Sequence, residues 1–150
     1  PADDGKVTLV HGDYRLDNLM YAKDNTKVIA VLDWELSTLG HPYADLAYVI
    51  MGMKLPASQS KNVVGGIGNI DWASHGIPTE EMIVERYCAL MGIDKIGNWN
   101  FFMAFSFFRL AAICQGVAKR AVDGNASNAA ADGVAGLVRP LAELAMDYID

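Results

Sequence analysis

Asp13, Asn18 and Asp33 have the residue types and spacing to act together in this 150-residue sequence. Asp13 follows the apolar run Val7-Thr8-Leu9-Val10 after a two-residue step, and Asp33 ends the run Val28-Ile29-Ala30-Val31-Leu32. A strand end is a rigid platform, and a loop leaving it can aim polar side chains into a cleft. If the two strands lie side by side, both carboxylates and the Asn18 amide converge. A carboxylate and an amide oxygen suit Mg²⁺, a hard cation that takes oxygen ligands. A separate carboxylate can orient an attacking hydroxyl and accept its proton. Asp13 as base, with Asn18 and Asp33 as metal ligands, is a minimal set for moving a phosphoryl group from a Mg-nucleotide to an alcohol.

The elements that must position these residues can be read from period and punctuation. Residues 7–10 read as a buried β-branched strand, and residues 19–22 and 28–32 as two strands joined by the turn chemistry of Lys23-Asp24-Asn25-Thr26-Lys27, hence a β-hairpin. Gly40-His41-Pro42 is a breaker, and 43–53 a helix with Pro42 near its start. Residues 54–78 form a long Gly- and Pro-containing loop with one short ordered piece. A helix follows, with Thr79 as N-cap, a stripe of Ile83, Tyr87, Leu90 and Met91, and Gly92 as its close. A second runs over 99–121. A third runs over 128–149, with Val134, Leu137, Val138, Leu141, Leu144, Ala145 and Tyr148 on one face and a kink expected at Pro140. Strands followed by a run of helices imply an α+β fold: a small sheet or hairpin carrying the loop, set against a mostly helical body, in a single domain over 1–150.

The bulk numbers narrow the function classes. With 52% hydrophobic and 20% charged residues the chain is globular. A net charge of −6 argues against a long nucleic-acid footprint. The most apolar stretch, 101–118, is interrupted by Ser106, Arg109, Gln115 and Gly116, so it reads as a buried helix and not a membrane span. Cys88 and Cys114 read as buried free thiols of a cytoplasmic protein.

His11-x-Asp13-x-x-x-x-Asn18, with Asp33-Trp34-Glu35 downstream, has the spacing of a protein-kinase catalytic loop followed by its metal-binding aspartate. With Gly at position 12 the loop resembles the aminoglycoside phosphotransferase and choline kinase-like family, whose H-G-D-x-x-x-x-N signature precedes an I-D-W or I-D-F element, matched here by Leu32-Asp33-Trp34. Gly40-His41-Pro42-Tyr43-Ala44-Asp45-Leu46-Ala47 is similar to the family's G-D-P-x-x-D-L-A segment, with His41 in place of its Asp. Phe107-Phe108-Arg109-Leu110-Ala111 with Gly124-Asn125-Ala126-Ser127 is similar to the branch found fused or linked to acyl-CoA dehydrogenases.

The resemblance implies the C-terminal lobe of a protein kinase-like fold and transfer of the ATP γ-phosphoryl group, with Mg²⁺, to a hydroxyl of a small molecule. A hydroxyacyl compound is the acceptor suggested by the acyl-CoA dehydrogenase-linked branch. Asp13 would be the base, Asn18 and Asp33 the Mg²⁺ ligands, and His11 a brace. Arg15 would stand where protein kinases carry a Lys that meets the γ-phosphate. Asp45 would bond the loop from the first helix, and Glu35 would support the metal site or simply start a helix. The family's N-terminal lobe, which covers the ATP phosphates, has no counterpart here. The chain is therefore expected to be a fragment or a half that needs a partner, binding ATP poorly and inactive alone.

Blander readings stand beside these. Asp13 or Asp33 taken singly is an ordinary cap or turn residue. Asp17 reads as a solvated loop acid, His41 and His75 as satisfied loop histidines, Trp34 and Trp99 as core anchors, and Gly65-Gly66-Ile67-Gly68 as a flexible loop without a phosphate-loop lysine. A non-catalytic kinase-like binding module and a metal-dependent hydrolase are the rival functions. The latter lacks the His and carboxylate ligands of a two-metal site.

Overall fold

The computed structural model describes residues 4–57, 65–123 and 131–149. Among these, four short strands form two antiparallel pairs: β1 (Thr8–Val10), β2 (Leu19–Tyr21), β3 (Val28–Val31) and β4 (Thr38–Gly40). The β2–β3 pair is the expected hairpin. Its turn is closed by the Ala22 amide on the Lys27 carbonyl at 2.9 Å and by the Asn25 side chain accepting from the Lys27 amide at 2.7 Å.

β4 has no counterpart in the sequence reading. It is three residues long and ends in glycine, too short for a period-2 pattern to show. It pairs with β1, placing Leu9 opposite Leu39. The strands leading to Asp13 and Asp33 are therefore not neighbours, which corrects the expectation that adjacency brings them together. Nor is β1 a buried strand. Val10 alone in it is buried and Leu9 is exposed, because the pair is two strands wide and stands at the edge of the body.

The body is helical: α1 (Tyr43–Lys54), α2 (Glu80–Met91), α3 (Trp99–Val122), α4 (Ala131–Ala135) and α5 (Val138–Met146). α3 runs through the centre and packs against α1, α4 and α5. Its Met103, Phe107, Leu110 and Cys114 join Ile50 and Met51 of α1 and Leu141 and Ala145 of α5 in one core. Phe107 is fully buried, so truncation to alanine would cost about 3–5 kcal/mol. By length and composition α3 could cross a membrane; here its Phe107 side forms the core of the fold. The Glu80 carboxylate ties three elements to α2, accepting from Lys54 of α1, from Trp99 Nε1 at 2.6 Å and from the Tyr148 hydroxyl at 3.2 Å.

Several local expectations change. The Thr79 hydroxyl caps α2 by accepting from the Met82 amide at 3.3 Å, but the buried stripe runs through Ile83, Val84, Tyr87 and Cys88, leaving Leu90 and Met91 exposed. The expected third helix is two, α4 and α5, separated near Gly136, and its start at 128–130 lies outside the described residues. Pro140 therefore sits in the first turn of α5, where a missing N–H breaks no bond, and kinks nothing. All seven expected residues of that face pack into the core.

The 65–68 glycine segment is packed rather than free. Gly66, Ile67 and Gly68 amides donate to the carbonyls of Pro56, Met53 and Leu55 at 3.0, 3.0 and 2.8 Å, satisfying the carbonyl end of α1. A Cβ at Gly66 or Gly68 would strike the Gly52 or Lys54 carbonyl.

Candidate active site

The loop from His11 to Asn18 leaves β1 and makes a left-handed turn at Gly12, with φ +83°. A Cβ there would run into the Leu36 carbonyl oxygen, so only glycine fits this close approach. The loop is held from three sides. From the first turn of α1, the Asp45 carboxylate accepts the His11 amide at 2.7 Å and the Gly12 amide at 3.0 Å. From inside the loop, His11 Nδ1 accepts the Asp13 amide at 3.2 Å. Across the site, His11 Nε2 donates to the Leu32 carbonyl at 2.7 Å. The two partners fix the tautomer, since an amide can only donate and a carbonyl only accept. His11 is buried, with the Trp34 ring 4.7 Å from its own.

Asn18 ends a short 3-10 turn, Leu16–Asn18. Its amide nitrogen donates to the Asp13 carbonyl at 2.8 Å and to Asp13 Oδ2 at 3.0 Å. With the nitrogen committed, the amide oxygen has no partner among the described residues and is open to a cation. The Asn18 carbonyl accepts the Leu32 amide at 2.8 Å. Both ends of Leu32 are thus bonded to the loop, its N–H to Asn18 and its C=O to His11. The first bond extends the β2–β3 ladder one pair beyond Leu19–Val31, and with the His11 bond it ties the residue before Asp33 to the loop that carries Asp13 and Asn18.

Asp33 itself is left-handed, with φ 65° and ψ 57°. Its carboxylate is exposed and makes no hydrogen bond or ion pair among the described residues. A non-glycine residue in this conformation, without a local hydrogen bond to explain it, is where functional strain is expected. Glu35 follows in the short turn Trp34–Leu36, exposed and pointing to no partner among the described residues.

Arg15 pairs with Asp17, Nη2 to Oδ2 at 2.5 Å, and its Nε lies 3.9 Å from Asp13 Oδ2. Asp17 is the solvated loop acid expected, 67% exposed, and it also pairs with Arg15. Trp34 is no core anchor: it is 45% exposed, with Nε1 donating to the Val31 carbonyl at 2.9 Å. His41 lies just before α1, Nδ1 accepting from the Tyr43 amide at 3.3 Å and Nε2 donating to Asp4 Oδ1 at 3.1 Å. His75 is likewise bonded, to the Asp71 carbonyl at 2.9 Å.

Two participants escape the sequence reading. Tyr48, one turn along α1 from Asp45, is buried beside Asp13. Burial pushes its phenol up, and the charge and hydrogen bonding of the Asp13 carboxylate push it the same way. Arg109 of α3 donates to the Gly12 carbonyl. The available signal for it was a lone cation inside an apolar helix, which must find a partner. Next to Arg15 and Tyr48 opens a cavity of about 580 Å³, walled by Leu16, Val49, Met51, Ile67 and Leu110.

Comparison with known proteins agrees with this geometry. A family model described as phosphotransferase enzyme family matches residues 1–76. Mouse acyl-CoA dehydrogenase family member 10 is 52% identical over 143 residues, covering 95% of this chain and 13% of that protein. Human acyl-CoA dehydrogenase family member 11 is 42% identical over 144 residues, covering 95% and 18%. The crystal structure of a candidate aminoglycoside phosphotransferase from Ralstonia eutropha superposes with a TM-score of 0.85 at 46% identity, covering 95% of this chain and 42% of that one. The chain thus spans less than a fifth of the length of these acyl-CoA dehydrogenase relatives.

Proposed function

Because this chain belongs to the phosphotransferase enzyme family and has its α+β, kinase-like fold, we propose that it supplies the catalytic loop for ATP- and Mg²⁺-dependent phosphoryl transfer to a hydroxyl of a small molecule. The observation that carries this reading is the Asn18–Asp13 contact. One side-chain amide orients the base with its nitrogen and keeps its oxygen for a cation. Asp13, held by Asn18 and by the His11-braced backbone, takes the acceptor's proton as its oxygen bonds to the γ-phosphorus and the bond to ADP breaks.

The donor set fits Mg²⁺. Asn18 Oδ1 and the Asp33 carboxylate, which has no partner among the described residues, would be its hard oxygen ligands. Among the described residues no group of three or more His, Cys, Asp or Glu could hold a metal. Held by Asn18 and Asp33, Mg²⁺ would supply positive charge to offset that of the nucleotide phosphates. Arg15, next to Asp13, is placed in this reading to meet the γ-phosphate after exchanging its Asp17 partner. Elements covering the nucleotide are proposed to come from outside these 150 residues, either as more chain or as a partner. The setting proposed is the cytoplasm, where the buried thiols Cys88 and Cys114 stay reduced.

For the acceptor, the cavity beside Arg15 and Tyr48 is walled mainly by aliphatic side chains. That lining suits a hydroxylated compound with an apolar chain better than a polycation. Together with the acyl-CoA dehydrogenase relatives, it supports a hydroxyacyl acceptor.

The test is a transfer screen of the full gene product with Mg-ATP against hydroxyacyl compounds, aminoglycosides and choline, read as phosphorylated product by mass. Asp13→Asn should lower kcat by about 10²–10⁴-fold on the accepted substrate. Transfer unchanged in that variant would remove Asp13 as base and favour a different chemistry.

A further inference from the structure

Arg109 lies midway along α3 and takes no part in the chemistry above. Its guanidinium stands over the Tyr48 ring, 4.8 Å from the centroid, and its Nη2 donates to the Gly12 carbonyl at 2.5 Å. That carbonyl belongs to the peptide unit joining Gly12 to Asp13. The N–H of the same unit donates to His11 Nδ1. The preceding unit, through the Gly12 N–H, is on Asp45. The backbone that delivers Asp13 is therefore gripped by α1 at one peptide and by α3 at the next.

The position needs such a grip. A peptide that follows a glycine rotates readily, because glycine has no Cβ to restrict its ψ. Rotation of the 12–13 peptide would turn its carbonyl away and swing Asp13 with it. A planar guanidinium resting on an aromatic face is pre-organised and gives a directional donor; a lysine ammonium is a mobile point charge without that stacking.

We propose that Arg109, held over the Tyr48 ring, is a positioning residue that fixes the Gly12–Asp13 peptide and so the carboxylate of Asp13. The kinetic part of this claim rests on the phosphotransfer reading; the structural part does not. The experiment compares Arg109→Met and Arg109→Lys with the wild type in the full gene product, by hydrogen exchange and by steady-state kinetics.

Exchange of the His11–Tyr14 amides is expected to quicken about tenfold in Arg109→Met, as for loss of one hydrogen bond from a charged donor, with α5 unchanged and Arg109→Lys intermediate. On the accepted substrate kcat should fall about 10- to 100-fold at nearly constant KM, as for a misplaced reacting group, with partial recovery in the lysine variant. Loop exchange equal to wild type would overturn the proposal. So would exchange that quickens equally in the loop and in α5, the mark of a core residue only. If the methionine variant does not fold, the lysine variant decides by the same comparison. A wild type that transfers no phosphate would sink the phosphotransfer reading, while exchange would still decide the role of Arg109.

Discussion

His11 joins the two halves of the site: its Nε2 donates to the Leu32 carbonyl at 2.7 Å, one residue before Asp33, while its Nδ1 accepts the amide of Asp13 at 3.2 Å. One buried ring therefore sets the spacing between the proposed base and the proposed metal ligand. Nitrogen-15 spectra should show the His11 proton on Nε2 and a bare Nδ1. His11→Phe keeps a ring but strands a donor and an acceptor, and should cost about 1–3 kcal/mol in urea unfolding. A proton on Nδ1, or a phenylalanine variant as stable as wild type, would refute this account.

Asp45 makes a second testable clamp. Its two oxygens each accept one loop amide, a pattern only a carboxylate can satisfy. In Asp45→Asn one of the two amides must face an NH₂ group, so donor meets donor. The variant should lose about 1.5–3 kcal/mol, the range for hydrogen bonds to a charged group, with kcat falling more than KM rises. Denaturant unfolding and steady-state kinetics on the same preparation check both halves of the prediction.

What the sequence reveals and hides about this site has physical reasons. Asp13, Asn18 and Asp33 stand out as candidates because phosphoryl transfer restricts residue type and spacing, and Asp45 through the likeness of residues 40–47 to the family's segment. The hairpin and the Val134–Tyr148 face are legible because their periods are unbroken. β4 is hidden by its length, and the break at Gly136 because an apolar face continues across it. The route joining Asp33 to Asp13 is hidden in part: the hairpin sets Leu32 opposite Asn18, but the His11 bond ends on the Leu32 carbonyl, a backbone atom that carries no sequence signal. Arg109 and Tyr48 are hidden because their partners, Gly12 and Asp13, lie far away along the chain.

Asp4 offers a pH-dependent test away from the site. Its carboxylate accepts from the Lys6 ammonium at 2.8 Å, from the Lys6 amide at 3.1 Å and from His41 Nε2 at 3.1 Å. The Lys6 side-chain bond, then its backbone bond, lower the Asp4 pKa from 3.8 to about 2. A carboxyl depressed on folding stabilises the native state above its ordinary pKa, and that contribution disappears as pH falls through about 2. The group is exposed, so solvent screens the effect and it should be small. Carbon-13 titration of Asp4 should give a midpoint near 2, and Asp4→Asn should remove this part of the acid dependence. A midpoint near 4 would contradict the network.

Asp33 separates stability from function. Its left-handed backbone, φ 65° and ψ 57°, is costly for an L-residue, and no side-chain cap bond offsets it. A glycine would relieve the strain but add freedom to the unfolded chain, so the two effects partly cancel. Asp33→Gly should therefore leave the protein as stable or up to about 1 kcal/mol more stable. Asp33→Asn, which also tolerates this conformation, should change stability by less than about 0.5 kcal/mol. Both should lose Mg²⁺-dependent transfer, because neither supplies the carboxylate. Paired measurements of unfolding and of rate against Mg²⁺ concentration decide the matter. If Asp33→Gly is clearly destabilised, Asp33 holds the fold. If it is stable and still transfers phosphate at the wild-type Mg²⁺ dependence, the carboxylate is no metal ligand. Only the combination of retained stability and lost transfer fits a strained residue kept for its oxygen atoms.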